Sequence, residues 1–378
     1  MDIKAILSIL IFILIYFLIA IEKTPKAYVA LSGILLLILF RVYEFEEIHN
    51  YIDWDTISFL FGIFLIVKII EISGFFNYLS LKIIKRLNYD PVKIFFFFPL
   101  LAWFLSGFVD SITVLTFLSP LTYTLCRILR IDFVPLIIAE VCLANVGGAG
   151  TLMGDPPNVI LGSMFKLGFT DFFINNYLLS LISGIGAIFV FYKMNQKYLF
   201  KVKEKIDKKA FEGIVPEEAI EDKILLKHGI FGLLSIIVLL ICRDLIKKFF
   251  PLSIGICSLL PSVVVLLLKG SHKKLKNIIK EIDIETLLFF VSLFVIVGSL
   301  EKTELIKKLA FKIKVFSQNG LKMNFVLFWF SAITSAFIDN VPEAISIGYL
   351  IKHISKFISY RFTYLIWSAS LGLDIGGN

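Results

Sequence analysis

The chain has 378 residues, of which 58% are hydrophobic and only 18% charged, and its mean hydropathy is +0.88. That composition excludes an ordinary water-soluble globule and makes the lipid bilayer the expected solvent. The formal charge of +8 does not argue for a nucleic-acid partner, because the basic residues sit in short loops between apolar runs, where they anchor a membrane protein.

In chain order, the first apolar run, Ala5 to Ile21, is uncharged and close to spanning length. Its basic front is feeble and no small-residue cleavage pattern follows, so it reads as a retained span rather than a signal peptide. Further spans are expected at 27–43, 55–73, 134–165, 174–194, 228–246, 253–269, 284–300 and 362–378. The stretches 93–126 and 323–351 are too long for one straight crossing. Each holds an aspartate, small residues and a proline near its middle and reads as a re-entrant hairpin. Residues 195–227, dense in both charge signs, read as a cytoplasmic connector. The Lys and Arg distribution favours an N-terminus on the outer side, with the nine lysines from Lys193 to Lys227 inside. Four scattered cysteines and four histidines show no metal-ligand spacing, so neither a cofactor nor a metal centre is expected.

The two halves repeat. Asp110 stands to Asp339 as Gly147 stands to Gly376, at one constant offset, and Asp53-Trp54-Asp55-Thr56 is echoed by Asp283-Ile284-Glu285-Thr286. If the hairpins do not cross, an odd number of crossings separates corresponding spans, and the halves are inverted. The expected fold is therefore all-α and polytopic: two inverted repeats, each with a re-entrant hairpin and a broken transmembrane helix. The first repeat covers 1–194, with its hairpin at 93–126 and its broken helix at 134–165. After the connector, the second covers 228–378, with its hairpin at 323–351 and its broken helix starting at 362. A full second copy would run on for about 45 residues past Asn378, so the second repeat reads as truncated.

An ionised aspartate at mid-membrane is costly, so Asp110 and Asp339, at matched hairpin tips, are candidates for ion or substrate binding. The alternative is that each only caps a helix. Between Asn145 and Asn158 the chain reads NVGGAGTLMGDPPN, which places four glycines and two prolines in a span and breaks its helix. Freed backbone groups at Gly147 and Gly148, with the side chains of Asn145, Thr151, Asp155 and Asn158, would face a cavity. Glu140, before the break, and Glu343, one helical turn beyond Asp339, are candidates for proton coupling. Lys68 and Glu71 read as an internal ion pair.

The phrases at 145–158, Ile338-Asp339-Asn340-Val341-Pro342 and Leu373-Asp374-Ile375-Gly376-Gly377-Asn378 resemble the ArsB/NhaD branch of the ion transporter superfamily, which includes arsenite pumps, sodium/proton antiporters, the CitM citrate transporters and the melanosomal P protein. The similarity spans essentially the whole chain. It implies hairpin tips and broken helices that bind ion and substrate together, an elevator-like movement, and a homodimer. Carried over by position, the tip motifs fall on Asp110, Ser111 and Thr113, and on Asp339, Asn340 and Pro342, with Na⁺ at the tips. Ser111 stands where the family more often has asparagine. Asp374 and Asn378 complete the proposed pocket.

The sequence thus points to a multi-pass protein of the cell membrane that moves a small inorganic or carboxylate anion, or arsenite, coupled to H⁺ or Na⁺. A Na⁺/H⁺ antiporter, a truncated inactive remnant and an intramembrane aspartyl protease using Asp339 and Asp374 stay open.

Overall fold

The computed structural model describes residues 2–21, 23–129, 131–203, 215–246, 250, 252–268, 278, 281–313, 319–358 and 360–377. The described residues build an all-α molecule. The first half contains α1 (Ile3–Ala20), α2 (Lys26–Leu39), α3 (Trp54–Ile72), α4 (Phe75–Arg86), α5 (Pro91–Ser106), α6 (Ser111–Leu129), α7 (Val134–Gly148), α8 (Pro156–Phe165) and α9 (Phe169–Lys203). The second contains α10 (Lys223–Ile246), α11 (Ile254–Leu267), α12 (Ile284–Lys302), α13 (Leu305–Ile313), α14 (Gly320–Ser335), α15 (Asn340–Ile354) and α16 (Thr363–Gly376). Among the described residues, α1, α9, α10 and α12 are long and apolar enough to cross a membrane singly, and α3 with α4 forms a pair bent by 57°.

Local chemistry sets the helix starts. Asp53 opens α3 by accepting the Asp55 and Thr56 amides and the Thr56 hydroxyl, and Asp283 opens α12 through Thr286 in the same way. Asp90 caps α5, which begins with Pro91. The amide of Gly255, inside the first turn of α11, is taken by Asp55 of α3 at 2.8 Å. The matching of halves seen in the sequence extends to helix ends. α3 and α12 are equal in length and keep one offset at both ends, Trp54 to Ile284 and Ile72 to Lys302. The same holds for α5 and α14, from Pro91 to Gly320 and from Ser106 to Ser335.

The helices pack in corresponding pairs, α2 on α12 and α3 on α11, then α5 on α7 and α14 on α16. Two glycines permit the last two crossings. A Cβ on Gly147 would lie 2.1 Å from the Trp103 carbonyl, and one on Gly376 would lie 2.2 Å from the Ala332 carbonyl. Trp103 and Ala332 are themselves counterparts at the offset that relates the two glycines. From the other side α9 rivets the first pair: the Trp103 indole donates to Ser180 at 2.8 Å, and Ser180 donates to the Val146 carbonyl at 2.5 Å.

Both expected hairpin regions are helix pairs, with turns at 107–110 and 336–339 that end on Asp110 and Asp339. The expected break lies at 149–155, between α7 and α8, so α7 runs on through Gly147 and Gly148 before it ends. α4 and α13 occupy stretches read from sequence as basic loops. They are amphipathic, with Phe76, Ser80 and Ile84 buried at four-residue spacing on α4. α9 continues through Lys203, into the stretch read as the connector, and is about 52 Å long at 1.5 Å per residue. The distal part of that stretch returns to the α3–α4 corner, where the Glu221 amide donates to the Ser73 carbonyl at 3.0 Å.

Candidate transport site

The break at 149–155 folds against the first hairpin turn. Thr151 donates its hydroxyl to the Gly107 carbonyl at 2.5 Å, and Gly154 lies so close that a Cβ there would be 2.6 Å from the Ser106 carbonyl and 2.5 Å from that of Gly148. Only glycine allows these three backbones to meet. α8 then begins with Pro156 and Pro157, whose missing N–H groups cost nothing in a first turn.

Asn158, fully buried, holds the break closed. Its amide nitrogen donates to the carbonyls of Gly148 (3.1 Å) and Thr151 (3.0 Å) and to Oδ2 of Asp374 (3.2 Å). Its oxygen accepts from Ser370 at 2.6 Å, and Ser370 in turn accepts from Asn176 of α9 at 2.9 Å. A buried polar relay therefore joins α9, α16 and α8. Ser370 and Asn176 were missed from sequence. Ser370 had a signal, since it lies one helical turn before Asp374 on the same face.

Asp155 stands where the elements converge. Its carboxyl neighbours the Asp374 carboxyl and the Ser111 side chain, and it lies within electrostatic reach of both Asp110 and Asp339. Asp374 is fully buried and, among the described residues, no hydrogen-bond donor reaches its Oδ1. Two neighbouring buried carboxyls can bond to each other only when one of them carries a proton. The two halves also meet where Asn145 donates to the Gly377 carbonyl at 3.3 Å. Nearby, Ser335 donates to Asn340 at 2.5 Å and approaches the Leu373 carbonyl at 2.6 Å. Asn378 lies outside the described residues.

Both tip aspartates cap helices, but with different partners. Asp110 is 7% exposed, and its two oxygens accept from the Thr113 amide (2.9 Å) and hydroxyl (2.6 Å). Asp339 accepts the Val341 amide at 3.1 Å and turns its other oxygen to Lys26, 3.7 Å away on α2. Each tip borders a cavity. The first, about 240 Å³, lies beside Asp110, Lys68 and Glu71. The second, about 270 Å³, lies beside Asp339, Lys26 and Tyr16.

The remaining candidates have partners of their own. Glu140 is fully buried and accepts from Thr122 on α6 at 2.6 Å, and among the described residues its Oε2 has no donor. Glu343 does not form the carboxylate pair with Asp339 that their spacing suggested. It engages Thr334 across the second hairpin instead, while Asp339 faces Lys26. Lys68 pairs with Glu71 at 3.1 Å, as expected, and also with Glu281 at 3.6 Å. Asp339 and Asp374, the couple a protease would need, keep separate partners in Lys26 and in Asp155 with Asn158.

The sequence profile of the CitMHS family, described as citrate transporter, matches residues 16–372. The chain belongs to this family. It is 28% identical to an uncharacterized transporter of Mycobacterium bovis, over 99% of this chain and 87% of that one. It is 29% identical to the 46 kDa membrane protein of Mycobacterium leprae over the same shares. The P protein of Mus musculus is 26% identical over 87% of this chain and 48% of its own length. The motif resemblance thus holds at family level, and this CitMHS protein is a multi-pass membrane transporter of the cell membrane that moves a small solute.

Proposed function

We propose that this CitMHS protein is a secondary active transporter that carries a small inorganic or carboxylate anion, or arsenite, coupled to H⁺ or Na⁺. In this reading the two halves are inverted repeats, their helix pairs are re-entrant hairpins, and α7–α8 is a broken crossing helix. The supporting observation is the convergence on Asp155, which neighbours Ser111 of the first tip and Asp374 of the last helix and lies within electrostatic reach of Asp339 at the second tip. Asp110, Ser111, Thr113, Asn145, Gly147, Gly148, Thr151, Asp155, Asn158, Asp339, Asn340 and Asp374 would form or frame the pocket. Asn158 and Thr151 shape it, because their polar atoms are already engaged. The carboxyl contact between Asp155 and Asp374 is a natural seat for a coupling proton, and buried Glu140 and Glu343 are further candidates.

A second reading is a Na⁺/H⁺ antiporter with no anion cargo. It is favoured by the carboxyl-rich surroundings of Asp155, where Asp374, Asp110 and Asp339 all act on it. Purified protein in sealed vesicles, assayed for uptake of labelled citrate, arsenite and Na⁺, separates the two. Flux of citrate or arsenite that falls in Asp110→Asn and Asp155→Asn supports the first. Sodium flux driven by a proton gradient, with neither anion moving, supports the second. No flux of any of the three solutes refutes both.

A further inference from the structure

The two hairpin tips are matched in position but not in chemistry. Thr113, whose counterpart in the second half is Pro342, supplies both donors that satisfy Asp110. Proline has neither an amide hydrogen nor a hydroxyl. Asp339 therefore retains only the Val341 amide on Oδ1, and its Oδ2 has no donor from its own helix start. That oxygen faces the ammonium of Lys26 at 3.7 Å, across a cavity that both residues line.

The first tip has a lysine nearby as well, but it is differently committed. Lys68 is drawn to Glu71 and Glu281 at 3.1 and 3.6 Å. Asp283 also lines that cavity, so four carboxylates with Asp110 stand against one ammonium. At the second tip the cavity lining carries Asp339 and Lys26, one charge of each sign. Nor do the lysines arise from the repeat. By the matching ends of α3 with α12 and of α2 with α11, the second-half counterpart of Lys68 is Gly298, and that of Lys26 is Ile254.

We propose that Lys26 is the built-in cation of the second tip: its ammonium occupies the place that a mobile alkali cation would otherwise take beside Asp339, so this tip binds no Na⁺. Lys26 is then a specificity-determining residue that lowers the number of ions bound per chain by one. A tethered ammonium is a compact point charge on a flexible stem, and it neutralises a capping carboxylate without needing the five or six oxygen ligands of a metal ion. The inference rests on the proposal that the tips flank an ion-coupled site.

The test counts ions rather than flux, so it can fail or succeed independently of that proposal. Equilibrium binding of radiolabelled Na⁺ is measured on the full chain in detergent at alkaline pH, with size-exclusion elution as the control for folding. Lys26→Ala is expected to bind one more Na⁺ per chain than the unmodified protein. Lys26→Arg should keep the original number, and Lys26→Ala with Asp339→Asn should return to it. Asp339→Asn alone, which leaves Lys26 in place, should lose no ion. An unchanged count in Lys26→Ala, or the loss of one ion in Asp339→Asn, overturns the proposal.

Discussion

Replacing Asn158 removes the most connected side chain of the site. Its amide nitrogen serves two carbonyls and Asp374 at 3.0 to 3.2 Å, and its oxygen accepts from Ser370 at 2.6 Å. Asn158→Leu preserves much of the volume but strands four buried polar groups. The two amide hydrogens are shared among three acceptors, so at a net contribution of about 1 kcal/mol for each neutral bond, and nearer 2 for the one to a carboxyl, the expected destabilisation is about 4 kcal/mol. Asn158→Asp should be no milder, since it presents carboxyl oxygens to two carbonyls and to Asp374. Unfolding in detergent can be followed by the reaction of a thiol probe with Cys126 and Cys257, both fully buried in the folded chain. If Asn158→Leu unfolds within about 1 kcal/mol of the unmodified protein, the relay does not hold the break closed and the reasoning fails.

Gly147→Ala sets a methyl group 2.1 Å from the Trp103 carbonyl, so α5 and α7 must part, at a cost of about 1–3 kcal/mol in the same unfolding assay. Thr151→Val keeps the shape but removes the donor to Gly107. It should cost about 1–2 kcal/mol and lower flux of whichever solute is carried, whereas Thr151→Ser should retain most of the flux. Outside the membrane-spanning segments, the Lys302 side chain, with help from the Glu44 amide, holds the Glu47 carboxyl below its ordinary value of 4.5. Because the folded value is the lower one, the stabilisation is complete above pH 4.5 and is lost as pH falls through the depressed value. Lys302→Gln should therefore lower stability slightly at neutral pH, by a difference that fades as pH falls below 4.5, so that the acid side of the profile flattens, as measured by thermal unfolding across pH.

Much of the fold was legible because the bilayer imposes long apolar runs and proline and glycine punctuate them. The break between Asn145 and Asn158 and both aspartate-ended turns were readable for that reason, to within a few residues. α4 and α13 were not, because the apolar run was the signal sought and each carries a polar face. The four-residue spacing of Phe76, Ser80 and Ile84 was the signal available. At the site, spacing indicated which acidic residues lie deep but not what they touch. Asp339 and Glu343 share a helical face, yet their partners come from α2 and α14, and no local pattern announces Lys26 or Thr334. Ser370 was hidden by its ordinariness: a lone serine in an apolar helix gains meaning only once Asn158 and Asn176 lie on either side of it.

The relay from Asn176 through Ser370 and Asn158 to Asp374 bears on how the molecule can move. Its members are sealed from water, so opening any link would strand polar atoms in a greasy interior. Any displacement that keeps these bonds would carry α8, α9 and α16 together as one stiff plate, past neighbours that meet it through apolar side chains. The faces that α1 and α2 turn to the rest of the molecule are mostly apolar, with Ile15, Ile19 and Leu37 buried there. On those faces the Lys26 ammonium, half open to water, is a clasp that solvent can undo.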